Sequence, residues 1–203
     1  STDASVYQIK PLGVVLPKDT NDVLSLMEYS QKNSVPLLAR GGGSSQCGQT
    51  VGESVVLDYS KHQNKILELN VEEKYVWVQP GVVLDHLNAY LKPHGLWFPV
   101  DVSTSSRATI GGMSANNSCG SRSLYYGNMV HNVLAIEAIL DDGSIFNFDQ
   151  INKNYLATKN NQDRLYKIID KFIDVRQQVG GEIDANWPTT QRRVGGYNID
   201  LID

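Results

Sequence analysis

A glycine-dense segment at residues 40–49 constrains the fold of this chain more than any other stretch. Its sequence is Arg-Gly-Gly-Gly-Ser-Ser-Gln-Cys-Gly-Gln, directly after an apolar strand candidate at 36–39. Three consecutive glycines allow positive φ and a close approach of the backbone to a ligand, and the N–H groups and serine hydroxyls that follow suit a phosphate or pyrophosphate. A flexible linker is the alternative, but linkers seldom begin with an arginine directly after a buried strand. The segment therefore predicts an anion-binding loop.

Two common nucleotide motifs do not describe this loop. A Walker loop would end in Gly-Lys-Ser or Gly-Lys-Thr, and this segment has neither ending. The dinucleotide fingerprint requires a third glycine at the position where Gln46 stands. The loop is therefore expected to hold its anion in some other way.

Charge and composition favour a small-molecule partner. The 203 residues are 41% hydrophobic, enough for one large domain or two small lobes, and the net charge is −4. That charge and the lack of a basic run argue against a nucleic-acid surface. Cys47 and Cys119 lie far apart and outside any Cys-x-x-Cys pattern, so neither a disulfide framework nor a zinc site is predicted. No apolar stretch is long enough to cross a bilayer, and a cytoplasmic location is expected.

Hydrophobic periodicity and turn residues predict an α+β fold. The chain opens with a strand at 14–16, a helix capped by Thr20 and a strand at 36–39, which places the glycine loop at the carboxyl end of the second strand. The further elements are a strand at 55–58, an antiparallel hairpin at 66–71 and 74–79, a helix with Leu84, Leu87 and Leu91 on one face, a strand at 96–98, a hairpin at 133–140 and 145–148, and a helix at 163–179 ended by Gly180 and Gly181.

A second stretch, residues 99–120, has the composition of a ligand-facing wall. It is rich in hydroxyl, small and asparagine residues and is nearly uncharged. Residues 109–112, Thr-Ile-Gly-Gly, are expected to open a short helix whose N–H groups face an anion. A long idle loop is the alternative, although a connection of this length is more often functional. Tyr125 and Tyr126 close the stretch and either stack on a planar ligand or have an ordinary role in the core or in a turn.

These motifs, in this order and spacing, resemble one known family. The motifs are Arg-Gly-Gly-Gly-Ser-Ser at 40–45, Asp101, Thr-Ile-Gly-Gly at 109–112, Asn117, Gly120, Tyr126-Gly127 and the Asp142-Gly143 hairpin. From about Val14 to its end, the chain resembles the FAD-binding domain of the vanillyl-alcohol oxidase and p-cresol methylhydroxylase family. Within that family it looks most like the bacterial D-lactate and glycolate dehydrogenase branch. Residues 192–198, Arg-Arg-Val-Gly-Gly-Tyr-Asn, resemble a loop of that branch's larger iron–sulfur-fused members.

The resemblance implies a two-lobed α+β FAD-binding domain of the p-cresol methylhydroxylase type, with FAD between the lobes. Residues 1–80 would form the first lobe, with the pyrophosphate loop, and residues 81–203 an incomplete second lobe. The residues implied to wrap the pyrophosphate are Arg40, Gly41, Gly42, Gly43, Ser44, Ser45 and Gln46. Those implied to line the second wall, near the ribityl chain and flavin, are Asp101, Thr104, Thr109, Ile110, Gly112, Ala115 and Cys119. Many relatives attach FAD through a histidine where this chain has Ser44, so a non-covalent FAD is expected.

The reaction that the resemblance implies is oxidation of a 2-hydroxy acid such as D-lactate, glycolate or D-2-hydroxyglutarate. Hydride moves to the flavin, a base takes the hydroxyl proton, and the electrons leave to a quinone, a cytochrome or an iron–sulfur domain. In this branch the base and any metal-binding histidines usually belong to a C-terminal cap, so no metal is expected here. The histidines of this chain are His62, His86, His94 and His131. His131 alone lies close to the second motif and is the weak candidate for a base.

Two other functions stay open at this point. One is a different flavoenzyme on the same scaffold, such as the reductase that forms UDP-N-acetylmuramate, whose flavin NADPH would reduce. The other is a flavin-free assembly subunit, which the intact glycine and Thr-Ile-Gly-Gly motifs argue against. Arg192 and Arg193 either meet an acidic substrate or cofactor or are solvated charges.

The chain is also expected to be an N-terminal fragment that does not turn over substrate alone. Domains of the resembled family continue into a further strand with a Gly-Ser-Glu-Gly-Thr-like turn and then into the cap. The full-length protein is expected to be cytoplasmic or peripheral to the inner membrane.

Overall fold

The structure is a computed structural model, and it describes residues 1–149, 164–190 and 197–201. The strands are β1 Gly13–Val15, β2 Leu37–Arg40, β3 Val55–Asp58, β4 Ile66–Asn70, β5 Tyr75–Val78, β6 Ile136–Ile139 and β7 Ile145–Phe148. The helices are α1 Thr20–Asn33, α2 Leu84–Leu91, α3 Ile110–Ala115, α4 Ser123–Tyr126, α5 Met129–Asn132 and α6 Arg164–Asn186. Short 3₁₀ helices lie at Lys92–His94 and Ile199–Leu201. This mixture of helices and small sheets confirms the predicted α+β class.

One parallel sheet positions the glycine loop. Its strand order is β1-β3-β2, and both outer strands run parallel to β3, whose Val56 and Leu57 are buried. Parallel strands that follow each other need a crossover, and α1 supplies it between β1 and β2. Because β2 ends at Arg40, the glycine loop begins at the carboxyl end of a parallel strand, which confirms the prediction.

The first helix has a different N-cap from the predicted one. Asp19 has extended backbone, and its carboxylate accepts hydrogen bonds from the N–H groups of Asn21 at 2.8 Å and Asp22 at 3.2 Å. Thr20 is already the first helical residue, so its prediction as the cap is wrong. Both residue types cap helices well, but the carboxylate also places a full negative charge at the positive end of the helix.

Both predicted hairpins form, whereas the predicted strand at 96–98 does not. β4 pairs with β5 and β6 pairs with β7, both antiparallel, and Gly143 has a φ of 83° in the second turn. At 96–98 the Asn88 side chain accepts the N–H of Phe98 at 2.7 Å and donates to its carbonyl oxygen at 3.4 Å. An amide side chain thus replaces the neighbouring strand that the prediction assumed.

The last long helix continues past its predicted end. α6 covers Arg164–Asn186 and therefore includes Gly180 and Gly181. A glycine costs a helix about 1 kcal/mol relative to alanine, which weakens the helix without ending it. Ile183, beyond both glycines, is buried and keeps the chain helical. The predicted stop is wrong, and the predicted start at residue 163 lies outside the described residues.

Two apolar clusters hold the second motif in place. The first consists of Leu84, Val100, Ala108, Met113 and Met129, which come from α2, α3, α5 and the loop before α3. The second consists of Val82, Leu87 and Leu91. Ile110 packs against both clusters, so the start of α3 is fixed between them.

The chain divides into two compact units. The first comprises Ser1–Val133 with Asp141–Gly143, and the second comprises Leu134–Leu140 with Ser144–Asp203. Both candidate loops belong to the first unit. The lobe boundary expected near residue 80 stays a prediction. Among the described helices, none combines the length and the apolar character needed to cross a membrane.

Candidate cofactor-binding site

The structure packs the glycine loop directly against the second motif. A Cβ added at Gly41 would overlap the hydroxyl of Thr109, and one added at Gly42 would overlap the carbonyl oxygen of Arg107. These two glycines are therefore required by the contact between the loop and residues 107–109. The two motifs, distant in sequence, meet at this contact.

Arg40 and Gly43 brace the loop from within. Gly43 has a φ of 64°, and an added Cβ would overlap the guanidinium of Arg40. Arg40 also donates from Nη1 to the carbonyl oxygen of Thr50 at 3.2 Å. The arginine thus spans from the start of the loop to its far stem, a bracing role that sequence reasoning did not predict.

The loop leaves a run of backbone donors available. Within the part of the chain that the structure describes, the N–H groups of residues 42–46 donate no hydrogen bond. The next N–H, of Cys47, donates to Ser45 Oγ at 3.1 Å, and that hydroxyl donates to Gln49 Oε1 at 2.5 Å. Ser44 is half-buried and Gln46 is exposed. Successive free N–H groups around a glycine with positive φ form a concave anion-binding surface.

In the second motif, by contrast, most of the backbone N–H groups of residues 105–113 are already paired. The carbonyl of Thr104 accepts from the N–H groups of Arg107 and Ala108, both at 2.8 Å. Thr109, only 1% exposed, caps α3 and accepts the N–H of Gly112 at Oγ1 at 3.4 Å. This confirms the predicted short helix, and the structure adds Thr109 as its cap.

The N–H groups of the first turn of α3 do not face an anion, contrary to the expectation for residues 109–112. Those of Ile110 and Gly111 donate to the carbonyls of Val82 at 2.8 Å and Pro80 at 2.9 Å. The third N–H, of Gly112, is bonded to the side chain of the cap Thr109. No N–H of that turn is therefore left for a ligand. Gly112 and Ala115 are exposed on α3, so they can offer only surface to a bound group.

Asp101 fastens the end of the second motif. Its carboxylate accepts the N–H of Arg122 at 3.0 Å and the hydroxyl of Ser121 at 2.6 Å, and an added Cβ at Gly120 would overlap it. Burial acts to raise the pKa of Asp101, but these hydrogen bonds and the nearby Arg122 charge outweigh it and lower the pKa below its ordinary value. The neighbouring Cys119 is a half-buried free thiol.

An aromatic group lies beside this turn. The guanidinium of Arg122 is 5.0 Å from the centre of the Trp97 ring, and Trp97 meets Tyr126 edge to face at 5.1 Å. Tyr125 packs on Tyr126 at 4.7 Å and is 85% exposed. Of the roles considered for these tyrosines, a core position is excluded for Tyr125, and ligand stacking and a turn role stay open.

The candidate base has no catalytic contact among the described residues. His131 is exposed on α5, and its Nδ1 accepts the N–H of Asn128 at 3.0 Å as part of a capping box. In the described ranges no three His, Cys, Asp or Glu side chains cluster in a way that could hold a metal. Arg192 and Arg193 lie outside the described residues.

Sequence reasoning missed the part played by the first residues of the chain. The carboxylate of Asp3 accepts the hydroxyl of Thr50 at 3.0 Å, and the N–H of Ala4 donates to the carbonyl of Gly43 at 3.0 Å. Hydrogen bonding from the Ser5 hydroxyl and from Thr50 lowers the pKa of Asp3 to about 2. The only sequence signal was a run of short polar residues typical of a tight turn.

The comparisons with known proteins agree with this geometry. The family model described as "FAD binding domain" matches residues 11–149. D-2-hydroxyglutarate dehydrogenase of Haemophilus influenzae is 42% identical over 212 residues, covering 100% of this chain and 20% of the relative. D-lactate dehydrogenase [cytochrome], mitochondrial, of Kluyveromyces lactis is 40% identical over 140 residues, covering 67% of this chain and 24% of the relative. The chain thus spans about a fifth to a quarter of the length of these curated relatives.

The fold also matches a solved structure. 6-hydroxy-D-nicotine oxidase from Arthrobacter nicotinovorans superposes with a TM-score of 0.66 at 16% identity. The superposition covers 77% of this chain and 34% of the oxidase. At this identity the likeness shows the fold alone, which is the two-lobed type that the resemblance implied.

Proposed function

Because this chain belongs to the FAD-binding domain family, we propose that it carries the FAD of a dehydrogenase that oxidises D-2-hydroxy acids. The observation that carries the proposal is the glycine loop, whose N–H groups at residues 42–46 have no acceptor in the described chain. A pyrophosphate supplies the acceptors that this row of donors lacks. The loop's residues therefore fit the cofactor that the family binds.

We assign the chain's residues to two tasks. The N–H groups of residues 42–46 and the Ser44 hydroxyl bind the pyrophosphate, while Gly41 and Arg40 shape the loop that presents them. The residues assigned to the second wall are Asp101, Thr104, Thr109, Ile110, Gly112, Ala115 and Cys119. Since the first three N–H donors of α3 are already bonded, we assign these residues contact surface and rigidity rather than charge compensation.

FAD, when bound, supplies the hydride acceptor of the reaction. This chain's contribution is to bind and orient that group and to cover one side of it from water. A base for the hydroxyl proton and a clamp for the substrate carboxylate are proposed to lie outside these residues. His131 is a weak candidate because one ring nitrogen already serves the capping box. The electron acceptor is proposed to be a quinone, a cytochrome or an iron–sulfur domain of the same protein.

D-2-hydroxyglutarate is the substrate we place first. The similarity to a D-2-hydroxyglutarate dehydrogenase extends over all of this chain, whereas the similarity to a D-lactate dehydrogenase covers 67% of it. The two-thirds of this chain that is similar to both relatives accounts for FAD binding in both enzymes. The additional similarity in the remaining third favours the first relative's substrate over D-lactate or glycolate.

We further propose that the FAD is held without a covalent bond. Relatives that attach FAD covalently do so through a histidine ring nitrogen at this position. Ser44 has a hydroxyl there and no ring nitrogen. Acid precipitation should therefore release the flavin into the supernatant. Flavin that stays with the pellet would contradict this and point first to Cys119, the half-buried thiol of the second wall.

The function is tested on the protein at its natural length. It should be isolated yellow, and D-2-hydroxyglutarate should bleach the flavin faster than D-lactate or glycolate, with L-2-hydroxyglutarate as the stereochemical control. Bleaching by NADPH alone would favour the UDP-N-acetylmuramate-forming type of reductase instead. A folded, colourless protein that gains no flavin absorption on adding FAD would favour the flavin-free assembly subunit.

A further inference from the structure

The sequence motifs leave the first nine residues without a role, yet the structure folds them into a defined arm. Thr2 pairs with Gln8 as an antiparallel bridge, which closes residues 1–9 into a loop. Inside that loop the carboxylate of Asp3 accepts both the N–H of Ser5, at 2.8 Å, and its hydroxyl. The arm is therefore a turn built around one carboxylate.

The same carboxylate ties the arm to the glycine loop. Its second oxygen accepts the hydroxyl of Thr50 at 3.0 Å, at the far stem of the loop. The next residue of the arm, Ala4, donates its N–H to the carbonyl of Gly43 at 3.0 Å, at the loop's centre. Asp3 and Ala4 thus hold two points of the glycine loop that are seven residues apart in sequence.

A third contact closes the arm over the loop. The Tyr7 ring lies against Gly48, whose φ is 73°, and leaves no room there for a Cβ. Both glycines that the arm contacts, Gly43 and Gly48, have positive φ. The arm therefore touches the loop at the positions where its backbone departs most from ordinary geometry.

Thr50 transmits the arm's contact to the inside of the loop. Its hydroxyl donates to Asp3, and its carbonyl accepts Arg40 Nη1 at 3.2 Å. The same guanidinium fills the space under Gly43. A continuous chain of contacts therefore runs from Asp3 through Thr50 and Arg40 back to Gly43.

A cavity separates part of the arm from the parallel sheet. Ser1 and Ile9 of the arm line, with Val14, Arg40 and Thr50, a cavity of about 140 Å³ beside the parallel sheet. The contact between the arm and the sheet is incomplete there, so the arm is attached mainly through its contacts with the loop, which are the two polar ones and the Tyr7 ring on Gly48. Without that attachment the glycine loop would have to be ordered when the ligand binds, which reduces affinity.

We propose that the arm is a clasp that holds the glycine loop in its ligand-binding conformation, with Asp3 and Thr50 as its positioning residues. The clasp rests on the proposed FAD function for its ligand, although the contacts exist without it. Its contribution is preorganisation: the loop that carries the five unbonded N–H donors is already held in place before the pyrophosphate arrives.

The test uses Asp3→Ala and Thr50→Val in the protein at its natural length. Each should raise the Kd for FAD about tenfold, since each removes a hydrogen bond to a charged group. In FAD-free protein, hydrogen exchange at the Ala4 amide, read by mass spectrometry, should become about tenfold faster because its bond to Gly43 opens more often.

Two matched variants separate positioning from general damage. Thr50→Ser keeps the hydroxyl and should bind FAD like the unmodified protein. Glu28→Ala removes an equal charge from an exposed position of α1 and should change neither readout. A Thr50→Ser protein as weak as Thr50→Val would overturn the assigned role of the hydroxyl.

The clasp is also overturned if Asp3→Ala and Thr50→Val match Glu28→Ala in both readouts. It is overturned equally if exchange accelerates in β4 and β5 as much as at Ala4, since that pattern means general destabilisation. If the unmodified protein binds no FAD, the proposed function is refuted but the clasp is not. The Ala4 exchange rates would then still decide whether the arm orders the loop.

Discussion

The glycine loop and the segment at 101–112 pack against each other, and they differ in how far their backbone N–H groups are paired. In the loop, the N–H groups of residues 42–46 have no acceptor among the described residues. In the segment, the carbonyl of Thr104 accepts two N–H groups, and the first three N–H groups of α3 are all bonded. One loop offers donors and is held from outside by the arm, while the other is held by its own hydrogen bonds.

The difference assigns separate work to two stretches that look alike in composition. Both are rich in glycine, serine and threonine, and both are candidates for anion binding from sequence. The first turn of α3 has no donor left for an anion, whereas the glycine loop has a continuous row of them. The second segment provides a rigid surface, and Gly41 and Gly42 are the points where the loop rests on it.

The largest effect is expected at the contact between the two loops. Gly42→Ala places a methyl group onto the carbonyl oxygen of Arg107, so the loops must separate. We expect the free energy of unfolding to fall by about 2–3 kcal/mol, the upper range for overpacking. FAD affinity should fall on the order of a hundredfold because the donor row moves. Chemical denaturation measures the free energy of unfolding, and flavin titration measures the FAD affinity.

Alanine substitutions at two other glycines serve as controls for Gly42→Ala. Gly13 in β1 and Gly181 in α6 have open space where a Cβ would be. Gly13→Ala should leave FAD affinity unchanged, and Gly181→Ala should raise stability by about 0.5–1 kcal/mol, the ordinary helical preference. If Gly42→Ala behaves like Gly13→Ala, the loops do not press on each other and the comparison fails.

A smaller effect, on stability alone, is expected at Thr109. Thr109→Val keeps the shape of the side chain but removes the cap of α3, at a cost of about 1 kcal/mol in unfolding free energy. FAD affinity should change less than threefold if this segment is scaffold, and Thr109→Ser should restore the stability. An affinity loss without a stability loss would make Thr109 a ligand contact and contradict the division of roles.

The parts of this fold that sequence predicts are those fixed by local signals. The β1-α1-β2 opening, the leucine-spaced α2 and the Asp-Gly turn at 142–143 depend on neighbouring residues alone, and all three form. The errors came where two local signals compete. Asp19 and Thr20 are both good caps, and Gly180 lies in a helix that buried Ile183 continues.

The candidate site divides in the same way. The glycine run at 41–43 is visible in sequence as an anion loop, because the residue types themselves carry the chemistry. Two of those glycines are in fact shaped by contact with residues 107–109, and the loop is clasped by Asp3 and Ala4. Such contacts join residues far apart in the chain, so no local sequence pattern predicts them.

The smallest expected effect tests whether the second segment holds itself together. Asp101→Asn removes the charge that accepts the hydrogen bonds of Ser121 and Arg122. We expect the unfolding free energy at pH 7 to fall by about 0.5–1 kcal/mol, reduced by the partial exposure of the site.

The pH dependence of that difference identifies the carboxylate as its source. The pKa of Asp101 is lowered in the folded state, so its stabilisation is complete above the unfolded pKa of about 4 and is lost as pH falls through the lower folded value. The gap between the unmodified protein and Asp101→Asn should thus be constant from pH 7 to 5 and shrink below pH 4. Subtracting the two curves cancels the other carboxylates, Asp3 included, and Glu28→Ala gives the baseline. A gap that stays constant to pH 2.5 would mean that Asp101 acts through the acceptor pattern of its two oxygens and that its charge contributes nothing.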